Sequence, residues 1–153
     1  MNKAVMLSIQ PKWVEAIRRG YKTVELRRIR PRLSVPFKVY IYQTKNKTVT
    51  PWVQKGEAQP EYSDLGKVVG EFVCDVIGEY DVDTETFFVI NVGVSDFGWK
   101  TALTKDEERG YARGKRPWGW HISNLKFYDE PKDLTDFGID HAPQSYVYVE
   151  ERK

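Results

Sequence analysis

The sequence predicts an α+β protein, a small and strongly curved β-barrel of about six strands with short peripheral helices. Three observations predict it. Stretches at 4–9, 22–28, 37–44, 66–80, 118–130 and 145–151 carry strand patterns, most with apolar and polar residues alternating. Glycines interrupt the longest of them, at Gly70 and Gly78, where a curling sheet needs bends or bulges. The helical patterns, at 11–19, 104–114 and 131–138, are short and lie between strands. With no internal repeat and no linker, residues 1–153 read as one domain, long enough to bury a core of its own.

Each element has its own grounds. "AVMLSI" (4–9) puts Val5, Leu7 and Ile9 on one face and Met6 and Ser8 on the other. Pro11 suits a first helical turn, Trp13, Val14 and Ile17 form a helical stripe, and Gly20 stands where a C-terminal cap belongs. "KTVELRR" (22–28) alternates again, with Val24 and Leu26 on one face and Thr23, Glu25 and Arg27 on the other. "FKVYIYQT" (37–44) sets Val39 and Ile41 opposite Tyr40 and Tyr42. Residues 45–66 show no sustained period and read as a long loop. In the 66–80 strand, Val68, Phe72, Cys74 and Val76 are expected in the core, with Glu71, Asp75 and Glu79 on the other parity. The 81–103 stretch carries no clear pattern. Residues 104–114 read as a capped helix with Thr104 as N-cap and acids in the first turn. "WGWHISNLKFYDE" (118–130) switches parity, which predicts a bulge; a one- or two-turn helix follows at 131–138 and a closing strand at 145–151.

Composition narrows the function. The chain is 41% hydrophobic and 30% charged, which excludes disorder, and no apolar run approaches the roughly 20 residues that span a bilayer. The N-terminus reads as a first strand rather than a signal peptide, and no membrane partner is expected. The single cysteine, Cys74, excludes an intramolecular disulfide and fits a reducing cytoplasm; its place on an apolar strand face predicts an inert core thiol. Two histidines and one cysteine cannot make a standard zinc site, so neither a metal nor a cofactor is expected. Phosphate-cradling glycine loops and nucleophile elbows are absent. Glu71, Asp75 and Glu79 share a spacing that suits either a magnesium ion or, more simply, a solvated sheet face.

Charge is distributed unevenly. The net charge is only +2, yet residues 12–32 hold Lys12, Arg18, Arg19, Lys22, Arg27, Arg28, Arg30 and Arg32 against two glutamates, while 57–85 is acidic. Such a basic pole attracts phosphates, or is simply a solvated face. Trp118, Trp120 and His121 lie close in sequence to Arg113, Lys115 and Arg116, an interleaving that suits a surface holding a phosphate and stacking a base. The tryptophans are equally good core residues at strand spacing. Glu25 and Arg27, two residues apart on one strand face, can pair and hold an amide or nucleobase edge, or form an ordinary surface ion pair. Lys22 adds a point charge suited to phosphate.

"SIQPKWVEAIRRGYKTVELRR" contains Gly20-x-Lys22-x-x-Glu25-x-Arg27, which resembles the G-x-K-x-x-E-x-R signature of ASCH domains, relatives of the PUA RNA-binding barrels. The order of elements agrees: a strand and a helix precede the motif, and "VYIYQTK" and "GKVVGEF" follow it. "WHISNLKFYDEPKDLTDF" is similar to the late strand and short helix of bacterial and phage ASCH proteins, leaving 45–65 and 81–115 as insertions. The resemblance implies a PUA-like barrel with a cleft, floored by the motif strand, that takes RNA or a modified nucleotide. Some members cleave RNA, and a short-chain subgroup hydrolyses the acetyl amide of N4-acetylcytidine with the motif lysine, a threonine and a glutamate. Carried onto this chain, the lysine is Lys22; Glu25 occupies the threonine position, and Thr23 lies one residue after the lysine.

The function expected is a cytoplasmic RNA- or nucleotide-binding module. Its expected contacts are Lys22, Glu25, Arg27, Arg28, Tyr42, Trp118, Trp120 and His121. The alternatives are a metal-independent ribonuclease or nucleoside amidohydrolase in the same cleft, and a regulatory protein-interaction domain. For catalysis the candidates are Lys22, Glu25, Tyr42 and Ser123, with His121 as a further proton carrier. Arg27 and Arg28 push the Lys22 pKa down while Glu25 pushes it back, which favours Lys22 as an oxyanion anchor over a base.

Overall fold

A computed structural model describes residues 2–46, 53–59, 61–89, 93–95 and 98–152. The strands are β1 (Lys3–Ile9), β2 (Val24–Arg27), β3 (Phe37–Gln43), β4 (Lys67–Asp81), β5 (Thr86–Val89), β6 (Gly93–Ser95), β7 (Trp118–Lys132) and β8 (Tyr146–Glu150). Helix α1 covers Pro11–Arg18, α2 covers Lys105–Ala112, and a 3-10 turn covers Leu134–Phe137. Six strands form one path in the order β2-β7-β4-β3-β1-β8, with β5 paired to β4 and β6 to β5. Those six are the strands expected from the sequence. The hairpin β5–β6, off that path, falls in the stretch that carried no pattern.

Strand β1 is paired on both edges, with β3 in parallel and β8 antiparallel, and is buried on both faces by two separate clusters. Val5, Leu7 and Ile9 join Val14 and Ile17 of α1, Val39, Ile41, Phe72 and Trp120 in the main core. Ala4 and Met6 pack on the opposite face with Tyr40, Tyr42 and Val68, against which Leu134 and Phe137 pack. A third cluster joins Val24 and Leu26 of β2 to Tyr80, Phe87 and Ala112.

The expected core parity of β4 holds for Val68, Phe72 and Cys74 and then fails. Register shifts between Cys74 and Ile77, so Val76 is only half-buried and Ile77 takes the core position. Gly70 permits the close approach of β7: a Cβ there would lie 2.5 Å from the Lys126 carbonyl oxygen. Helix α1 ends one residue early and α2 is shorter by one residue at its start and two at its end, as helix ends fray, whereas the helix expected over 131–138 is only a 3-10 turn at Leu134–Phe137 because β7 runs on to Lys132. The 45–66 loop contains no helix or strand among its described residues.

Candidate functional site in the barrel seam

The chain turn after α1 aims the motif inward. Tyr21 N–H donates to the Ala16 carbonyl (2.9 Å) and Gly20 N–H to the Ile17 carbonyl (3.1 Å). This is a Schellman cap, and it requires the left-handed φ of 78° that Gly20 adopts. The chain then reverses, and Lys22 enters the interior. Its side chain is 0% exposed, with Nζ donating to the Thr101 carbonyl at 2.7 Å and lying 3.4 Å from Glu25 Oε1. Glu25 Oε2 lies 3.5 Å from Arg27 Nη2. Arg27 in turn donates to the Ser8 carbonyl (2.7 Å) and to Ser145 Oγ (3.2 Å).

These last bonds define where the site is. β2 and β8 are the two ends of the sheet path, and Arg27 of β2 reaches Ser8 of β1 and Ser145 just before β8. The curled sheet therefore leaves a seam that Arg27 bridges with side-chain bonds. A cleft of about 340 Å³ lies in this seam, with Lys22, Glu25 and Arg27 in its lining and Trp13 and Tyr111 among its walls. A second depression of about 720 Å³ adjoins it, sharing Ser8, Thr44, Asn46 and Gln144.

Within the triad, burial dominates Lys22. It pushes the ammonium below its ordinary value of 10.5, while Glu25 works the other way and Arg27 adds to the depression. Glu25 and Arg27 act in the directions expected, but desolvation by burial is the largest effect on the lysine. Burial also works to raise the Glu25 carboxyl, but Lys22 and then Arg27 hold it below 4.5. Arg27, with its side chain 16% exposed against 0% for Lys22, is the motif cation that the cleft presents.

The other expected residues are dispersed. Arg28 stands at the rim: its guanidinium lies 4.5 Å from the Tyr111 ring centroid and donates to the Tyr111 carbonyl (3.0 Å). Tyr42 is buried and lines the second depression, not the first. Ser123 lies outside the lining of both and donates to the Val73 carbonyl at 2.8 Å. Trp120 is fully buried in the main core, edge-on to Phe37, and has no face for a ligand, because β7 turns it inward opposite Glu25. Trp118 is half-buried with Arg30 over its ring at 5.2 Å. His121 sits away from the cleft lining, stacked on Trp99 and with Nδ1 2.7 Å from Asp75 Oδ1. Thr23 faces the 98–103 segment, its hydroxyl accepting from Lys100 N–H at 2.9 Å. Among the described residues no group of three His, Cys, Asp or Glu is arranged to hold a metal. Glu71 instead pairs with Lys38 (2.8 Å) and accepts from Tyr128 (2.7 Å).

Sequence reasoning missed Thr101, Leu103 and Tyr111, which come from the stretch expected to be an insertion. Tyr111 had one signal: it follows Thr104 by seven residues in a capped helix, two turns on, and so lies on a predictable face.

No protein-family model matches the chain, and no curated protein matches it. Solved structures do. The chain is similar to the crystal structure of the ASCH protein from Zymomonas mobilis, at 21% identity, covering 97% of this chain and 88% of that one with a TM-score of 0.67. A tyrosine-to-phenylalanine variant of that protein matches at 21% identity, 98% and 92% coverage and TM-score 0.67. A serine-to-alanine variant matches at 21% identity, 97% and 89% coverage and the same TM-score. The chain has the fold of that ASCH protein, a small, strongly curved α+β barrel.

Proposed function

We propose that this protein is an ASCH module that binds single-stranded RNA, seating one nucleotide, plain or modified, in the seam cleft. The observation that carries this reading is the Lys22–Glu25–Arg27 triad in the lining of the cleft. Glu25 accepts and Arg27 donates along one edge, the complement of an amide or a nucleobase edge. Lys22 serves this edge from beneath by keeping Glu25 charged and in place. A cleft of about 340 Å³ suits one nucleoside rather than a helix. Its aromatic walls, Trp13 and Tyr111, offer rings for stacking.

The arginines that follow the motif favour an RNA strand over a free nucleoside. Arg28, Arg30 and Arg32 pair with no carboxylate among the described residues. Aromatics brace the loop that carries them: Arg28 lies over Tyr111, Arg30 over Trp118, and Arg32 N–H donates to Tyr148 Oη at 2.8 Å. Cations on a braced loop that leaves the motif strand suit the phosphates that flank a seated nucleotide. The reading places the protein in the cytoplasm, where the buried free thiol of Cys74 fits a reducing milieu.

The test is equilibrium binding of a labelled single-stranded oligoribonucleotide between 50 and 200 mM salt, about the range over which phosphate contacts change affinity strongly. Affinity should fall with salt, with a log–log slope of about −0.7 per phosphate contacted. Arg27→Gln should weaken binding about tenfold or more, the value of a lost charge-assisted bond. Affinity that ignores salt, or no binding, refutes the reading.

One observation favours a second reading, a nucleoside amidohydrolase in the same cleft: the buried Lys22, whose depressed pKa is what a lysine base or nucleophile requires. Incubation with N4-acetylcytidine decides it. Release of acetate by the wild type but not by Lys22→Met supports the enzyme; no release leaves the binding module.

A further inference from the structure

Glu108 is a buried carboxylate on α2 that takes no direct part in the cleft. Two hydroxyls converge on it. Tyr80 donates to its oxygens at 3.0 and 3.1 Å, and Thr101 donates at 2.6 Å. The Thr101 hydroxyl also accepts from Leu103 N–H at 3.2 Å, closing a small turn around Ala102. Ala102 adopts φ 65°, a conformation that residues with a Cβ rarely take, so the turn depends on these bonds to persist.

The same turn carries the carbonyl that receives Lys22. Its approach is fixed at the other end as well, since Thr23 and Val24 N–H both donate to the Lys100 carbonyl, at 2.8 and 3.2 Å. Helix α2 is in turn anchored by the capping box of Thr104 and Glu107. We propose that Glu108 is a positioning residue for the site: by holding the Thr101 hydroxyl it fixes the Thr101 carbonyl on Lys22, and so fixes the Lys22–Glu25 pair beneath the cleft. The chain of contacts runs Tyr80, Glu108, Thr101, Lys22, Glu25, and every member is buried. This deepens the proposed function, because the edge formed by Glu25 and Arg27 is only as well placed as the lysine under it.

Two acceptors, the Thr101 carbonyl and Glu25 Oε1, occupy two of the three positions around Nζ. Charged groups acting on that nitrogen are Glu25 and Arg27 from β2 and Glu108 from α2, and the Trp13 ring lies 5.5 Å away. Releasing the Thr101 carbonyl would let water reach the ammonium, reversing the burial that dominates its titration.

The experiment follows the Lys22 side-chain nitrogen by NMR across pH, without any RNA, in wild type, Thr101→Val, Thr101→Ser and Tyr80→Phe. Thr101→Val keeps the shape and removes the hydroxyl. Its Lys22 midpoint should move up by on the order of one pH unit, with faster exchange of the Nζ protons. Thr101→Ser restores the hydroxyl and should titrate as wild type. Tyr80→Phe keeps the ring that stacks on Phe87 and should move the midpoint the same way by less. If Thr101→Val does not fold, Tyr80→Phe decides. Lys22 titrating unchanged in every folded variant lacking a hydroxyl overturns the relay. Wild-type protein that fails to bind RNA overturns the proposed function instead, and leaves the relay standing.

Discussion

Replacing Lys22 with methionine tests whether the motif is a built ion pair or a lysine that happens to be covered. Methionine keeps the length and apolar bulk of the side chain, so no cavity confuses the result. At 3.4 Å the Lys22–Glu25 attraction is about 5 kcal/mol gross for an effective dielectric of about 20. Part of it offsets the cost of burying the ammonium, a cost that methionine also removes. What remains is Glu25, 8% exposed, with Arg27 at 3.5 Å as its one charged partner in the triad. Breaking one side of a buried pair typically costs 3–5 kcal/mol; with Arg27 still present, we predict about 3 kcal/mol. For a chain of this size that lowers the melting temperature by roughly 6–12 °C. Urea and thermal unfolding at pH 7, followed by tryptophan fluorescence, measure it. The double variant Lys22→Met/Glu25→Gln removes the stranded charge and should recover at least half of the loss. A single variant within about 0.5 kcal/mol of wild type, or two losses that simply add, would refute the reasoning.

Two further outcomes follow from the same geometry. Glu25 has a folded pKa below 4.5, so the unfolded chain takes up the proton first as pH falls; the stabilisation is complete above about that value and is lost as pH falls through the folded midpoint. Unfolding measured from pH 5 to 3 should therefore give a steeper loss for wild type than for Glu25→Gln, the depressed Glu71 contributing to both, and parallel curves would contradict the assignment. Gly70→Ala should destabilise by about 1–3 kcal/mol, because its methyl would meet the Lys126 backbone carbonyl at 2.5 Å, which a side-chain rotation cannot relieve; unchanged stability would mean that β4 and β7 are not so closely joined.

How far the sequence reached depended on how local each determinant was. Strand patterns in 4–9 and 37–44 placed Val5, Leu7, Val39 and Ile41 correctly, because alternation is a property of a few adjacent residues. Glu25 and Arg27 were put on one face by the same rule, and they are 3.5 Å apart. The rule fails at bulges. Val76 and Ile77 exchanged places where β4 slips against β7; Gly78 signals a bend there, but the alternation does not say which neighbour takes the core position. Long-range partners were not legible at all. That Lys22 would be covered by Thr101, 79 positions away, depends on an unpatterned loop with a left-handed alanine, and burial is the largest influence on the lysine's pKa. Trp120 illustrates the remaining ambiguity: its neighbours in sequence are those of a stacking surface, and its neighbours in space are Phe37 and Tyr146 of the core.

The most direct test of the central claim is to titrate a short single-stranded RNA into isotope-labelled protein and map the perturbed resonances. The largest changes are expected at Arg27 and Tyr111 in the seam cleft, with smaller ones at Arg28, Arg30 and Arg32. Perturbations centred on another face, or none with the RNA in excess, would contradict it.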